Sequence, residues 1–441
     1  MLTKLKKLLN GGGVHVPEHK DTANLATEKL PIPELIIMPM SQHAGAPCVP
    51  CVEKGDKVYV GTKIGTASAK VSAHIYSSVS GTVKSVEKKL NMTGKEDTRI
   101  EIEPDGLQEI DPEIKPPVIT DLESFVQALS NSGIVGLGGA GFPTDIKVLP
   151  KNLSEIDTLL INGAECEPYL TTDNREFLEC SDTVLFGVHQ CLKWLGIPKC
   201  KICIEDNKPE AIALMKDLTK DDEQVDICVL ETKYPQGAQN ILIYNATGRV
   251  VPKGARHTEV GVLMLNVTTV STIGKFIKTG MPLVSKRLTV AGDAILNPKN
   301  LEVPIGTRFD DIIAYCKTKE PVRKVIVGGP MMGNSQVNVN YVITRQNNGL
   351  LCFGEKSTVR PEVTSCIKCG RCVNSCPIGL SPIEIYDTYQ RYDADGLKVL
   401  NADLCIGCGT CGYVCPGKRP LTQTVGMAKN YLKSHQKKGE K

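Results

Sequence analysis

Two runs near the end of the chain, SCIKCGRCVNSCP (Ser365 to Pro377) and LCIGCGTCGYVCP (Leu404 to Pro416), both contain CxxCxxCxxxCP. A cubane iron–sulfur cluster needs four thiolates, and CxxCxxC supplies three from one tight turn whose N–H groups also point at the sulfides. In the two-cluster arrangement the last Cys of each run serves the other cluster. The expected pairing is Cys366, Cys369, Cys372 and Cys415 around one [4Fe–4S] cluster, and Cys405, Cys408, Cys411 and Cys376 around the other. Zinc would need only CxxC pairs and would leave the third Cys and the following Pro without a reason. Such a unit passes single electrons between adjacent centres and does no substrate chemistry, so something else must feed or drain it.

The second chemical candidate is GIVGLGGAGFPTDIK, Gly133 to Lys147, which holds a GxGxxG in Gly136, Gly138 and Gly141. A dinucleotide fingerprint follows a strand, whereas this one follows an amphipathic helical pattern, which argues against a Rossmann fold. Glycines here let the backbone approach a flat ring or a phosphate with N–H groups free to donate. The alternative is a plain glycine-rich turn.

The elements that must position these residues are legible from periodicity. Breaks at LPIPEL, EIKPPV, GMPL and GEKSTVRPE divide the chain into about five pieces. Short alternating runs between glycines from about Ile37 to Glu103 read as a small β domain. TDLESFVQAL reads as a helix with a Thr120/Glu123 capping box and an apolar face of Leu122, Phe125, Val126 and Leu129. TLLIN, KICIE and ICVLE read as buried strands, with KPEAIALMKDL a helix between the last two. KRLTVAGDAI and RKVIVGGP flank the helical pattern RFDDIIAYC, which suggests a compact β-grasp-like module. No solenoid period is present.

Composition sets the outer limits. A chain of 441 residues with 41% hydrophobic residues can build several cores. Of 18 Cys, eight fall in the two runs and the rest are scattered, which points to a reducing compartment rather than a disulfide framework. MLTKLKKLLNGGG lacks a signal-peptide core, and no apolar run reaches the roughly 18 residues that spanning needs. A net charge of +3 leaves no basic footprint for nucleic acid. Basic residues gather only at the ends, Lys4, Lys6 and Lys7, then Lys429, Lys433, Lys437, Lys438 and Lys441, and read as solvated charge.

GxxGxGGAGFPTxxK resembles the flavin-binding loop of the FMN subunit of respiratory complex I. NGAECEP (Asn162 to Pro168) resembles that family's acidic loop after a strand, and LNVTT (Leu265 to Thr269) its later Asn-containing flavin contact. Together with NGAECEPYLTTDNREF, YPQGAQNILIYNATGRVVP, GGVHVPEHK, SQHAGAP and the two cysteine runs, the ensemble resembles the RnfC family, peripheral subunits of ferredoxin:NAD oxidoreductase complexes, over nearly the whole chain. The resemblance implies a multidomain α/β protein. Its parts are an N-terminal segment (1–36), a lipoyl-like barrel-sandwich β domain (37–112), an FMN/NADH-binding α/β domain (117–282), a β-grasp, SLBB-like module (283–345), a helical two-cluster ferredoxin domain (358–425) and a basic tail (426–441). It implies that Gly136, Gly138, Gly139 and Gly141 line FMN, with Lys147 on its phosphate side and Asn162, Glu165 and Asn266 as polar contacts. Phe142 and Glu167 would face NAD(H), by stacking and by hydrogen bonding. Leu137, Ala164, Ala238 and Gln239 depart from the complex I pattern, which has Arg, Asp and two Glu at those places.

The activity implied is ferredoxin:NAD⁺ oxidoreduction by a flavin and two cubanes, a two-to-one electron converter at the cytoplasmic face of the cell membrane. Integral membrane subunits and a ferredoxin-like subunit would be its partners, and Na⁺ or H⁺ translocation their task. The alternatives are a subunit of a soluble flavin-dependent bifurcating dehydrogenase, or a non-catalytic cluster scaffold with a vestigial flavin loop. Lys70 falls near the modified lysine of the lipoyl fold, but SAKVS lacks the usual acidic or Met neighbours, and the RnfC family carries this fold unmodified. His74 and Tyr76 then read as packing or interface residues, Cys48 and Cys51 as free structural thiols, Cys166 as a small buried residue and Trp194 as core. His15, His19 and His43 have no metal-ligand spacing.

Overall fold

The computed structural model describes residues 12–91, 94–337, 340–359 and 361–439, with side chains as far as 435 in the last helix. Lys4, Lys6, Lys7 and Lys441, and the side chains of Lys437 and Lys438, lie outside this range.

The first β unit stacks two small antiparallel sheets. One has the order Lys57–Val58, Gly81–Leu90, Glu96–Pro104, Ile36–Pro39, and the other Val49–Pro50, Lys63–Thr66, Ile75–Tyr76. Alternation turns Ile36, Met38, Ile64, Ile75, Val83, Ile100 and Ile102 inward, all at most 1% exposed. Lys70 is exposed on a bend, while Tyr76 donates from its hydroxyl to the carbonyl of Asn131 in the next unit.

The α/β unit begins with the helix Leu122–Asn131, which buries Phe125, Ala128 and Leu129. Its cap differs from the Thr120/Glu123 box that the sequence suggests. Asp121 is the N-cap, its carboxylate accepting from Ser124 N at 2.8 Å, and Ser124 Oγ in turn accepts from Asp121 N at 3.0 Å. The stronger acceptor sits one residue nearer the helix and takes the role. The central sheet is fully parallel, in the order Val225–Leu230, Lys199–Glu205, Thr158–Gly163, Val262–Asn266. ICVLE is therefore not a buried strand: Val225–Leu230 is the sheet edge, with Val229 43% exposed. The first strand in sequence, Thr158–Gly163, has neighbours on both sides, so the strand order reverses there, between it and Val262–Asn266. In open α/β sheets ligands bind beyond the carboxyl ends of the strands at such a reversal.

A six-stranded mixed sheet follows: Thr27–Lys29, Lys299–Pro304, Ser285–Ala291, Gly349–Phe353, Lys324–Val327, Asn334–Gln336, with the helix Phe309–Cys316 against it. Its outermost strand comes from the N-terminal segment, Thr27 pairing with Asn300. The cysteine-rich unit is helical, packed around Ile385, Leu397, Val425 and Ala428 with the long helix Leu421–Gly439 as its spine. Among the described residues no helix is long and apolar enough to cross a membrane.

Candidate functional site

Beyond the carboxyl ends of the parallel strands lies a pocket of about 480 Å³, within the range that holds a cofactor. Asn162 ends Thr158–Gly163 directly opposite Asn266, which ends Val262–Asn266. Asn266 caps the helix Val267–Thr279, accepting from Thr268 N and Thr269 N, while its amide donates to Asp173 (2.9 Å) and to the carbonyl of Asn162 (3.3 Å). Gly138 packs on this residue: a Cβ there would lie 2.7 Å from Asn266 Nδ2. At Gly139 a Cβ would meet nothing within 4 Å. The glycine loop is closed at its base by Gly136 N donating to Phe142 O (2.9 Å), with Gly141 at φ +65°. Leu137 is buried, its N–H donating to Thr269 Oγ1 and its carbonyl accepting from Lys286 Nζ.

The acidic loop forms the opposite wall. Glu165 caps the helix Thr172–Glu179 from outside, accepting from Thr172 Oγ1, Asp173 N and Asn174 N. Glu167 accepts from the N–H groups of Met331 (3.0 Å) and Met332 (2.8 Å), and burial raises its carboxyl above the usual range. Burial, with Glu165 beside it, also raises the Asp173 carboxyl. Lys147, on the short helix Thr144–Val148, is brought down to about 8 by burial, and among the described residues no side chain or carbonyl partners its amine. At the pocket's edge Gln239 Nε2 meets His257 Nδ1 at 2.7 Å, leaving the buried His257 Nε2 without a partner among the described residues.

Of the residues singled out in the sequence, the pocket gathers Gly138, Asn162, Glu165, Glu167 and Asn266. Gly136 and Gly141 form the loop base, while Gly139 and the 38%-exposed Phe142 sit on its open rim. Lys147 stands on the helix that follows. Sequence reasoning missed Asp173, Leu170, Met332 and Asn348, which long-range folding brings in, as well as Ile378 and Ile406, which lie beside and within the two cysteine runs.

Ile378 and Ile406 join the two chemistries. Both also wall a small apolar cavity ringed by Cys376, Cys405, Cys408 and Cys411. These are the four thiols of one expected cluster, drawn from both runs, and three of them bring along the N–H-rich turn Cys405–Cys411. Among the described residues no three His, Cys, Asp or Glu side chains converge as a single ion requires. A cubane takes one thiolate at each of four corners and holds them further apart. Of the other four cysteines, Cys366 and Cys369 are exposed and Cys372 and Cys415 half-buried. Tyr234, 1% exposed, donates from its hydroxyl to the carbonyl of Cys408 at 2.7 Å and so ties the pocket wall to a cluster turn.

The residues fit the groups implied. An ammonium buried without a counter-charge suits a phosphate, and an open glycine rim suits a flat ring. Four thiols around one cavity suit a cubane.

Comparison with known proteins adds independent support. Residues 10–107 match the RnfC barrel sandwich hybrid domain, residues 129–275 the Nuo51 FMN-binding domain, and residues 358–416 the 4Fe-4S dicluster domain. The chain is 40% identical over 438 residues to the RnfC subunit of the Na(+)-translocating ferredoxin:NAD(+) oxidoreductase complex of Acetobacterium woodii, covering 97% of this chain and 98% of that one. It is 41% identical to the proton-translocating counterpart of Clostridium ljungdahlii over 84% of this chain and 82% of that one. The corresponding member of the ion-translocating oxidoreductase complex of Rhodobacter capsulatus is 35% identical, with 96% and 83% covered. At these identities over nearly full length, the chain belongs to the RnfC family of ion-translocating ferredoxin:NAD(+) oxidoreductase complexes.

Proposed function

We propose that this chain is the nucleotide-side electron converter of such a complex, exchanging electrons between NAD(H) at FMN and two [4Fe–4S] clusters. The observation that carries this is the wall common to the two sites, with Ile378 and Ile406 lining both the flavin pocket and the cavity of Cys376, Cys405, Cys408 and Cys411. Bound FMN supplies the chemistry, trading a hydride with the nicotinamide and single electrons with the clusters. The protein's own residues do the rest. Lys147 holds the phosphate, Asn162 and Asn266 fix the ring side, and Gly138 lets the loop lie against Asn266. Glu167, held by Met331 and Met332, stands toward the nucleotide with Phe142 at the rim. The apolar isoleucines keep water from the path between pocket and cluster. Cys405, Cys408, Cys411 and Cys376 hold the cluster next to the flavin; Cys366, Cys369, Cys372 and Cys415 hold the outer one, where a ferredoxin-like subunit delivers electrons.

In this reading the chain docks on the cytoplasmic face of the membrane against integral subunits that move Na⁺ or H⁺. Its modules are those expected from the residues alone, with the β-grasp, SLBB-like one extended to take in the strand Gly349–Phe353. Anaerobic purification, flavin and iron assay, and NADH titration followed by visible and EPR spectroscopy test it. One FMN, two cubanes and a flavin bleached by NADH are the expected result. Clusters without FMN reconstitution or NADH reduction would leave the chain a scaffold.

A further inference from the structure

The N-terminal segment that precedes the β domain runs as a strap across the back of the flavin pocket. Gly13 N donates to Ser375 O (2.9 Å), beside the cluster ligand Cys376, and Val14 exchanges both backbone hydrogen bonds with Tyr234. Glu18 O accepts from Tyr169 N (2.8 Å), His19 stacks on the Tyr169 ring at 4.9 Å, and Thr22 Oγ1 meets Thr171 Oγ1 at 2.6 Å. Between these anchors Lys20 turns inward. Its ammonium donates to three carbonyls, Glu165 at 2.8 Å, Glu167 at 3.1 Å and Leu170 at 2.6 Å. An ammonium has three N–H bonds, so each is used. Glu165, Cys166, Glu167 and Leu170 all line the pocket on their other side.

Two physical consequences follow. Three carbonyls folded onto one donor fix the curvature of a loop with no helix or strand hydrogen bonds of its own, and therefore fix where Glu165 and Glu167 stand. A full positive charge also lies directly behind the pocket wall in a poorly solvated place, facing Glu165, Glu205 and Lys208. A nearby cation favours the more negative, reduced state of a bound flavin, and low solvation strengthens that effect.

Resting on the proposed function above, we infer that Lys20 is a positioning residue of the electron-transfer site. It shapes the acidic loop through its three carbonyl bonds and raises the flavin's reduction potential through its charge. No covalent step involves it, and it does not touch the substrate.

The test uses the full chain loaded with FMN and clusters, comparing wild type, Lys20→Gln and Lys20→Arg by FMN release and by flavin midpoint potential from a spectroscopic redox titration. Lys20→Gln removes the charge while keeping an N–H donor, and its flavin midpoint is expected to move negative. Lys20→Arg keeps the charge but its planar fork cannot meet three converging carbonyls. Its midpoint is expected to match wild type, while FMN release quickens about tenfold, the loss of roughly one hydrogen bond. A Gln variant that binds FMN with an unshifted midpoint overturns the charge role. An Arg variant with wild-type FMN release overturns the tripod role, and it does so even where the Gln variant does not fold. A wild-type chain that takes up no FMN would instead sink the proposed function itself, so the two failures are separate.

Discussion

Two adjacent glycines of the flavin loop make opposite predictions. An alanine at Gly138 would put its Cβ 2.7 to 2.9 Å from three atoms of Asn266, a contact that real structures do not tolerate. Asn266 must then leave its place as cap of Val267–Thr279 and give up its bonds to Asp173 and to the Asn162 carbonyl. A lost cap costs about 1 kcal/mol and each lost hydrogen bond about 1 kcal/mol, so Gly138→Ala should destabilise the flavin-free chain by about 3 kcal/mol. FMN binding should weaken along with it. Gly139→Ala meets no protein atom within 4 Å, and its backbone needs no left-handed conformation. It should therefore leave the flavin-free chain's urea midpoint unchanged. If the ring lies on this rim, however, the new methyl occupies ligand space, and FMN affinity by fluorescence quenching should fall at least about tenfold, or about 1.4 kcal/mol. A Gly139→Ala chain that binds FMN as tightly as wild type would refute the placement of the flavin over this loop. A Gly138→Ala chain of unchanged stability would refute the role given to Asn266.

Other perturbations test other parts. Cys376→Ala, although it lies in the first cysteine run, should abolish the cluster of the second run and leave that of Cys366, Cys369 and Cys372, with about half the iron lost and one of two EPR signals retained. Lys147→Met should stabilise the flavin-free chain in thermal melts, because it removes a buried ammonium without a partner, and should weaken FMN binding by about ten- to hundredfold through loss of a charge-assisted bond. His43, 8% exposed, is held down to about 4 by burial and by the Arg345 cation, whereas the unfolded chain titrates near 6.5. Between those values the unfolded chain binds a proton that the folded one refuses. Stability should therefore fall by about 3 kcal/mol as pH drops from 6.5 to 4, and His43→Gln should flatten that slope in denaturant titrations.

What could be read from the sequence was whatever is local. The cysteine runs carry their ligand spacing within a dozen residues, and the cavity shared by Cys376 and the second run agrees with the pairing that spacing suggests. The strands TLLIN and KICIE announce themselves as apolar runs. ICVLE has the same composition, but whether a strand lies inside a sheet or at its edge depends on strand order, which periodicity does not encode. Gly138 and Gly139 are likewise indistinguishable as letters, and only Asn266, arriving from more than a hundred residues away, separates them. Lys20 was invisible for the same reason, since its carbonyl partners are 145 to 150 residues distant and carry no side-chain signature.

The pairing of Thr27 with Asn300 also sets an order of events. During synthesis the N-terminal strand emerges first, yet the strand it needs is made only after the whole parallel sheet has left the ribosome. Contacts of such long sequence separation form late because the loop they close must first be given up as entropy. The early segment therefore waits unpaired while the central sheet folds, and the back of the pocket is finished after its front. Cofactor capture should accordingly be a late step in maturation, and truncating the first thirty residues should yield a chain that folds its sheet but arrests before that step.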